Sequence, residues 1–351
     1  MRYRLSTLGL FVSLLIVGCG GGSQPESAPA TAPEAASPPV TAQATSLDPM
    51  TEFGTTASNV FFYYEDVEAA TDFYRDVMGF RVAADYGFAK IMQVAPKSFV
   101  TLVDHTQGMH SSDEPKTTAI ALVTDQLDEW WDYIQTQDIE MRSTDYTPEE
   151  GSAHDGFVAI DPEGYFLEFE RFNPHPENEQ FIPALDASAT LYAHPDSNVP
   201  EGLGFKATVV WFYYKDMEGV QRFYEEVLGL DLIVDQGWAK IYPIGPTGYF
   251  GLVDEQLGMH NFTEDKAVTL SMFTANLDAW YDYLSNNDRI EMRSPEIEEE
   301  VPYRAFVAYD PEGYFLEWDV FNPVPDNEAL LQACLLYTSD AADDLVSVLF
   351  W

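Results

Sequence analysis

The eight residues Asp161-Pro162-Glu163-Gly164-Tyr165-Phe166-Leu167-Glu168 return unchanged from Asp310 to Glu317, so whatever this chain builds, it builds twice. Asp at the first position, Pro at the second and Gly at the fourth suit a tight type I turn, because Pro pre-sets the backbone and Gly tolerates the exit. A strand follows. Its alternation puts Tyr165, Leu167 and Phe169 on one face and Phe166, Glu168 and Glu170 on the other. The second copy divides likewise, Tyr314, Leu316 and Trp318 against Phe315, Glu317 and Asp319. One face is apolar and suited to lie under helices; the other presents a carboxylate at the same place in both copies.

The repeat extends well beyond the motif. Tyr63-Tyr64 recurs as Tyr213-Tyr214, Phe73-Tyr74 as Phe223-Tyr224, Gly87 as Gly237 and Gly108-Met109-His110 as Gly258-Met259-His260. Within each copy two modules follow the same order. In the first copy a strand over residues 59–66 leads to a helix with Ala70, Phe73, Tyr74 and Val77 on one face, stopped by Gly79. Strands are then expected at 80–84, 88–94 and 98–103. The second module repeats this with a strand at 117–123, a helix carrying Leu127, Trp130, Trp131 and Ile134, and strands at 139–143, 157–161 and 165–171.

A chain of 351 residues with 46% hydrophobic content can bury two cores. The expected domains span 53–177 and 205–327, joined by a Pro-, Asp- and Ser-rich linker at 178–204 and followed by a short segment at 328–333. A net charge of −42, from 17 Lys and Arg against 59 Asp and Glu, argues against nucleic acid as a partner. The acid excess reads either as adaptation to a salty habitat or as attraction of cationic ligands.

The N-terminus speaks to location. Arg2 and Arg4 precede an apolar run from Leu8 to Val17 that is short for a bilayer span, and Ile16-Val17-Gly18-Cys19 resembles the lipobox of bacterial lipoproteins. That resemblance implies a signal peptide over 1–18, cleavage before Cys19, acylation of its thiol and anchoring to the lipid bilayer of the cell envelope. Gly20 resembles the outer-membrane sorting class if the host is Gram-negative. Residues 19–52, poor in large apolar side chains, read as a flexible tether. The run Cys334 to Trp351 resembles the translation of a sequencing adapter and is set outside the fold.

With the modules in place, a family resemblance can be stated. Paired β-α-β-β-β modules, the Phe-Tyr helix ending in Gly79-Phe80 or Gly229-Leu230, and the closing Asp-Pro-Glu-Gly-Tyr-Phe-Leu-Glu resemble the vicinal oxygen chelate superfamily of glyoxalases, bleomycin-resistance proteins and extradiol dioxygenases. The resemblance implies an α+β fold of two tandem domains, each of paired modules forming a cup-shaped mixed sheet. It also implies that metal-using members hold a divalent ion with a ligand on the first strand and a carboxylate on the last strand of each module. Here those positions fall on Asn59 and Val209, on Thr101 and Gly251, and near Thr118 or Ala119 and Val268 or Thr269; only Glu168 and Glu317 match.

Three readings follow. The favoured one is a binding protein holding a small organic ligand without metal, in a pocket of Phe61, Tyr63, Lys90, Arg142 and Glu168 in one copy and Trp211, Tyr213, Lys240, Arg293 and Glu317 in the other. The second is a metal-dependent lyase, isomerase or dioxygenase using Glu168 or Glu317, with His110 or His260 as the imidazole able to act near neutral pH. The third is a structural or partner-binding lipoprotein.

Overall fold

The computed structural model describes residues 48–335; Cys19, the leader before it and the chain beyond Leu335 lie outside the described residues. The folded part begins inside the expected tether, with a short helix Pro49–Phe53 (α1) capped by Asp48. Ala57–Tyr64 (β1) follows, then Val67–Asp72 (α2), started by Asp66 accepting from the Ala69 N–H. The helix runs on as a π-turn over Phe73–Val77 and stops at Gly79, whose φ of 73° a side chain would resist. Arg81–Asp85 (β2), Ala89–Ala95 (β3) and Ser98–Asp104 (β4) complete the module.

The second module is Thr118–Val123 (β5), Leu127–Ile134 (α3), Glu140–Met141 (β6), His154–Ile160 (β7) and Phe166–Phe172 (β8). The segment read as a linker is folded. It holds Phe181–Ala187 (α4), with Phe181 and Leu185 buried, and the pair Leu191–Tyr192 (β9) and Gly204–Phe205 (β10). The second copy repeats the order as Ala207–Tyr214 (β11), Met217–Glu226 (α5), Val234–Asp235 (β12), Ala239–Pro243 (β13) and Gly248–Asp254 (β14). Its last module is Val268–Phe273 (β15), Leu277–Ser285 (α6), Glu291–Met292 (β16), Glu298–Glu299 (β17), Tyr303–Tyr309 (β18) and Phe315–Phe321 (β19). The closing helix Glu328–Leu335 (α7) takes in Cys334 and Leu335, which the sequence reading had set aside. It is the counterpart of α4, and buries Leu330 where α4 buries Phe181.

The sheets do not follow the repeats. One sheet runs β16-β18-β19-β15-β1-β4-β3-β2, with β17 added on β18, and the other β12-β13-β14-β11-β5-β8-β7-β6. The first module therefore joins the fourth through antiparallel β1 and β15, and the second joins the third through β5 and β11. Each cup takes half its wall from each copy, where the sequence reading expected one cup per copy.

The repeated motif ties this arrangement together. Asp161 is buried under helix α2 and accepts the Tyr64 hydroxyl at 2.6 Å and the Tyr74 hydroxyl at 2.9 Å through Oδ2, and the Glu163 and Tyr165 N–H groups through Oδ1. Asp310 does the same with Tyr214 and Tyr224. Burial pushes both aspartates up from the ordinary carboxylate range. The motif tyrosine crosses between sheets. Tyr165 Oη accepts from the Tyr63 N–H at 2.9 Å and donates to the Ala267 carbonyl at 2.6 Å; Tyr314 reaches Tyr213 N–H and the Thr117 carbonyl in the same way. Phe62 stacks on Tyr165 and Phe212 on Tyr314, so the helix-covered faces of both sheets share one core.

Candidate functional site

Each cup opens on a cavity. The one floored by Glu168 is about 280 Å³, the one floored by Glu317 about 330 Å³. Register fixes what stands beside each carboxylate. In the Glu168 cup, Ala121 on β5 and then Val209 on β11 lie across the sheet from it. In the Glu317 cup the same row reads Ser271 and Asn59. One row along, Trp211 pairs with Gly251, and Phe61 pairs with Thr101. A Cβ on Gly251 would meet the Trp211 ring at 2.0 Å, so the glycine is the space the indole occupies.

The Glu168 cup is lined by Arg142, His154, Glu170, Trp211, Tyr213 and Trp238 among others. His154 Nδ1 bonds Glu170 Oε1 at 2.9 Å. That bond and the charge of Glu170 raise His154 to about 9, so it is an imidazolium at neutral pH. Burial, and then the neighbouring Glu170, push Glu168 up to about 8, which leaves it mostly protonated at pH 7. Arg142 lies 5.4 Å from the centre of the Phe166 ring.

The Glu317 cup is more acidic. Glu317 and Asp319 interact with one another, and burial raises both above the ordinary carboxylate range. Ser271 donates to Asp319, Glu298 adds a third carboxylate to the lining, and Tyr303 stands where the other cup has His154. Phe61, Tyr63 and Arg293 also line this cavity, and Thr101 Oγ1 bonds Asn59 Oδ1 at 3.0 Å.

The expected pocket residues are thus redistributed. Phe61 and Tyr63 join Arg293 and Glu317, while Trp211 and Tyr213 join Arg142 and Glu168. Lys90 and Lys240 are corrections: both sit on the other face of their strands, Lys90 on Asp85 and Glu68 at 2.8 Å and Lys240 on Asp235 at 2.6 Å, and neither lines a cavity. An even residue on β3 or β13 must face away from the cup that Ala89, Ile91 and Ala239 line.

The two matched histidines are also displaced from their expected place. His110 is wedged edge-on to Tyr63 and against Phe315, and His260 takes the same position against Tyr213 and Phe166. Neither imidazole lines a cavity. Burial lowers His110, whose Nδ1 bonds Glu114 at 2.7 Å, and lowers His260 to about 4. Both are neutral packing groups behind the cup wall.

His154 and Glu170, with Asp319, Glu298 and Tyr303 opposite, were missed. The second carboxylate was visible in the alternation of the motif strand. His154 was not, because its partner in the other copy is Tyr303 and a search for repeated histidines passes it over.

The donor set fits a divalent ion poorly. In the Glu168 cup Val209 and Gly251 bring no donor to two of the expected positions, and Ala121, the residue beside Glu168, brings none either. In the Glu317 cup the expected positions Asn59 and Thr101 bring an amide and a hydroxyl, and Ser271 adds a second hydroxyl beside the buried acid pair. Among the described residues no group of three His, Cys, Asp or Glu side chains is placed to hold a metal.

Residues 56–169 match the model of the Glyoxalase/Bleomycin resistance protein/Dioxygenase superfamily. No curated protein matches the chain significantly. Among solved structures, a point variant of glyoxalase I from Zea mays superposes with a TM-score of 0.53 at 14% identity, covering 82% of this chain and 98% of that one. A putative dioxygenase from Bacillus subtilis gives 0.54 at 13% identity, covering 80% and 90%. At such identities the likeness speaks for the fold alone. Residues 56–169 thus carry a glyoxalase/bleomycin resistance/dioxygenase superfamily domain, and the paired β-α-β-β-β modules and the two cups give the two halves of the described chain one fold.

Proposed function

We propose that the protein is a binding protein whose cups hold small organic molecules, aromatic or cationic, without a metal ion. The observation that carries this reading is what surrounds Glu168: Val209 and Gly251 stand at positions where the family resemblance implies metal ligands, Ala121 stands beside the acid, and the room is filled by the Trp211 indole. Aromatic walls above a half-buried acid suit stacking and cation–π attraction. Calorimetry on metal-stripped protein tests it. Saturable binding of an organic ligand, unchanged by chelator, is expected; binding or turnover that needs added divalent metal would count against it.

The second reading, a metal-dependent lyase, isomerase or dioxygenase, is favoured by one feature only, the oxygen- and nitrogen-bearing row Asn59–Ser271–Glu317. Stoichiometric metal lost on Glu317→Ala would support it. We also propose that the chain is a lipid-anchored envelope protein acylated at Cys19, a reading supported by the lipobox-like Ile16 to Cys19. Labelled palmitate should enter the wild-type chain and be absent from Cys19→Ser; equal labelling of both would refute the anchor.

A further inference from the structure

The cups differ most where buried polar atoms of one lack partners. Glu170 is 2% exposed; its Oε1 is taken by His154, and its Oε2 has no partner. Trp211 is 7% exposed, and its indole N–H leans on Glu168 without reaching full hydrogen-bond geometry to it or to another acceptor. Both side chains line the Glu168 cavity. The other cup explains the vacancy at Glu170, because there Ser271 donates to Asp319, whereas its counterpart Ala121 has no hydroxyl to give. A buried donor or acceptor left alone costs about 1–3 kcal/mol. One of each in a single cavity describes the ligand that would satisfy them.

We infer that the Glu168 cup is a receptor for a planar aromatic amine of one or two rings that also bears a hydrogen-bond acceptor. The amine N–H donates to Glu170 Oε2, the acceptor takes the Trp211 indole N–H, and the ring lies among Trp211, Tyr213 and Trp238. This rests on the ligand-binding reading above and narrows it to one cup and one chemical class. Arg142 and the His154 imidazolium also line the cavity, so the amine is recognised by the unpartnered Glu170 Oε2 and the ring faces rather than by the summed charge of the wall. The Glu317 cup lacks both features: Phe61 replaces the indole, and Asp319 already accepts from Ser271 and interacts with Glu317.

The test uses the full chain, stripped of metal, titrated with 3- and 4-methoxybenzylamine, the nearly isosteric 4-ethylbenzylamine, 4-methoxybenzyl alcohol and 4-methoxybenzoate. Tryptophan fluorescence and calorimetry read binding, and thermal melting confirms that each variant is folded. The better methoxybenzylamine is expected to bind at least tenfold more tightly than the alcohol or the benzoate, and several-fold more tightly than the ethyl compound. Trp211→Phe should erase the methoxy preference and keep the amine preference, Glu170→Gln should erase the amine preference, and Lys240→Gln, outside both cavities, should change neither. Amine binding that ignores Trp211→Phe and Glu170→Gln, or that vanishes in Lys240→Gln, overturns the inference while leaving a ligand-binding protein. Binding by none of the five compounds overturns it as well, and binding that appears only with added divalent metal overturns the underlying reading instead.

Discussion

Beneath the Glu168 cup and beneath the Glu317 cup a buried aspartate takes hydroxyl groups from two tyrosines at 2.6–3.0 Å, whereas inside the cups shared residues, such as Tyr213 and Tyr63 or Arg142 and Arg293, stand among exchanged ones. Asn59 faces Val209 in the comparison, Ser271 faces Ala121, Tyr303 faces His154, and the pair Phe61–Thr101 becomes Trp211–Gly251. The difference is physical. In a closed hydrogen-bond network any single change strands a buried partner, at about 1–3 kcal/mol for each group left alone. A cavity wall meets solvent or ligand, so its residues can change one row at a time. The Trp211–Gly251 exchange shows the limit of that freedom, because the larger ring needed the smaller neighbour.

The strongest way to break this contrast lies in the shared network. Asp161→Ala and Asp310→Ala each strand two buried tyrosine hydroxyls and two turn N–H groups, and each should cost about 3–5 kcal/mol in urea denaturation. Unequal costs, differing by more than about 2 kcal/mol, would show that the two scaffolds are not equivalent. Next in size, Gly251→Thr drives a side chain into Trp211 and should cost about 1–3 kcal/mol. Adding Trp211→Phe, which copies the Phe61–Thr101 pair, should recover most of that loss in a double-mutant cycle, and strict additivity would refute the coupling.

The linings should also differ in their response to pH. Glu168 faces Glu170 on its own strand, His154 on β7, Arg142 and Trp211, and stands at about 8 in the fold. The folded state therefore keeps a proton that the unfolded chain has lost. Stability falls as pH rises from the ordinary carboxylate range to about 8, by at most about 1.4 kcal/mol per pH unit for that proton. Glu168→Gln should flatten that part of the profile, and a slope equal to wild type would refute the assignment. The smallest effect belongs to His154, raised to about 9 by Glu170: its stabilisation is complete below the ordinary histidine value and lost as pH rises through about 9. Its side chain is 38% exposed, so solvent screening holds the effect of His154→Phe below about 1 kcal/mol. Only the Glu168 cup should show it, since Tyr303 stands opposite.

Much of the module order was legible because its signals are local. Strand alternation, helical spacing and the turn residues of the motif depend on neighbours a few positions apart, and the strands and helices fall within a few residues of expectation. The acid face of the motif strand was legible for the same reason. Lys90 and Lys240 were misjudged because a strand tells which residues share a face but not which face is concave. His110 and His260 attracted attention by recurring, yet what recurs here is largely scaffold, and the unrepeated His154 is the imidazole that reaches a cavity.

By itself the amino-acid sequence determined that there are four modules of one pattern and that each copy ends in an acid-bearing strand. Which module shares a sheet with which was decided only in three dimensions. First strands of all four modules are alike enough to pair, and the choice of β1 with β15 and β5 with β11 depends on contacts more than eighty residues apart in the chain, such as Tyr165 reaching Ala267. Because that choice also decides which aromatic wall faces which carboxylate, the composition of both cups is a property of the tertiary structure.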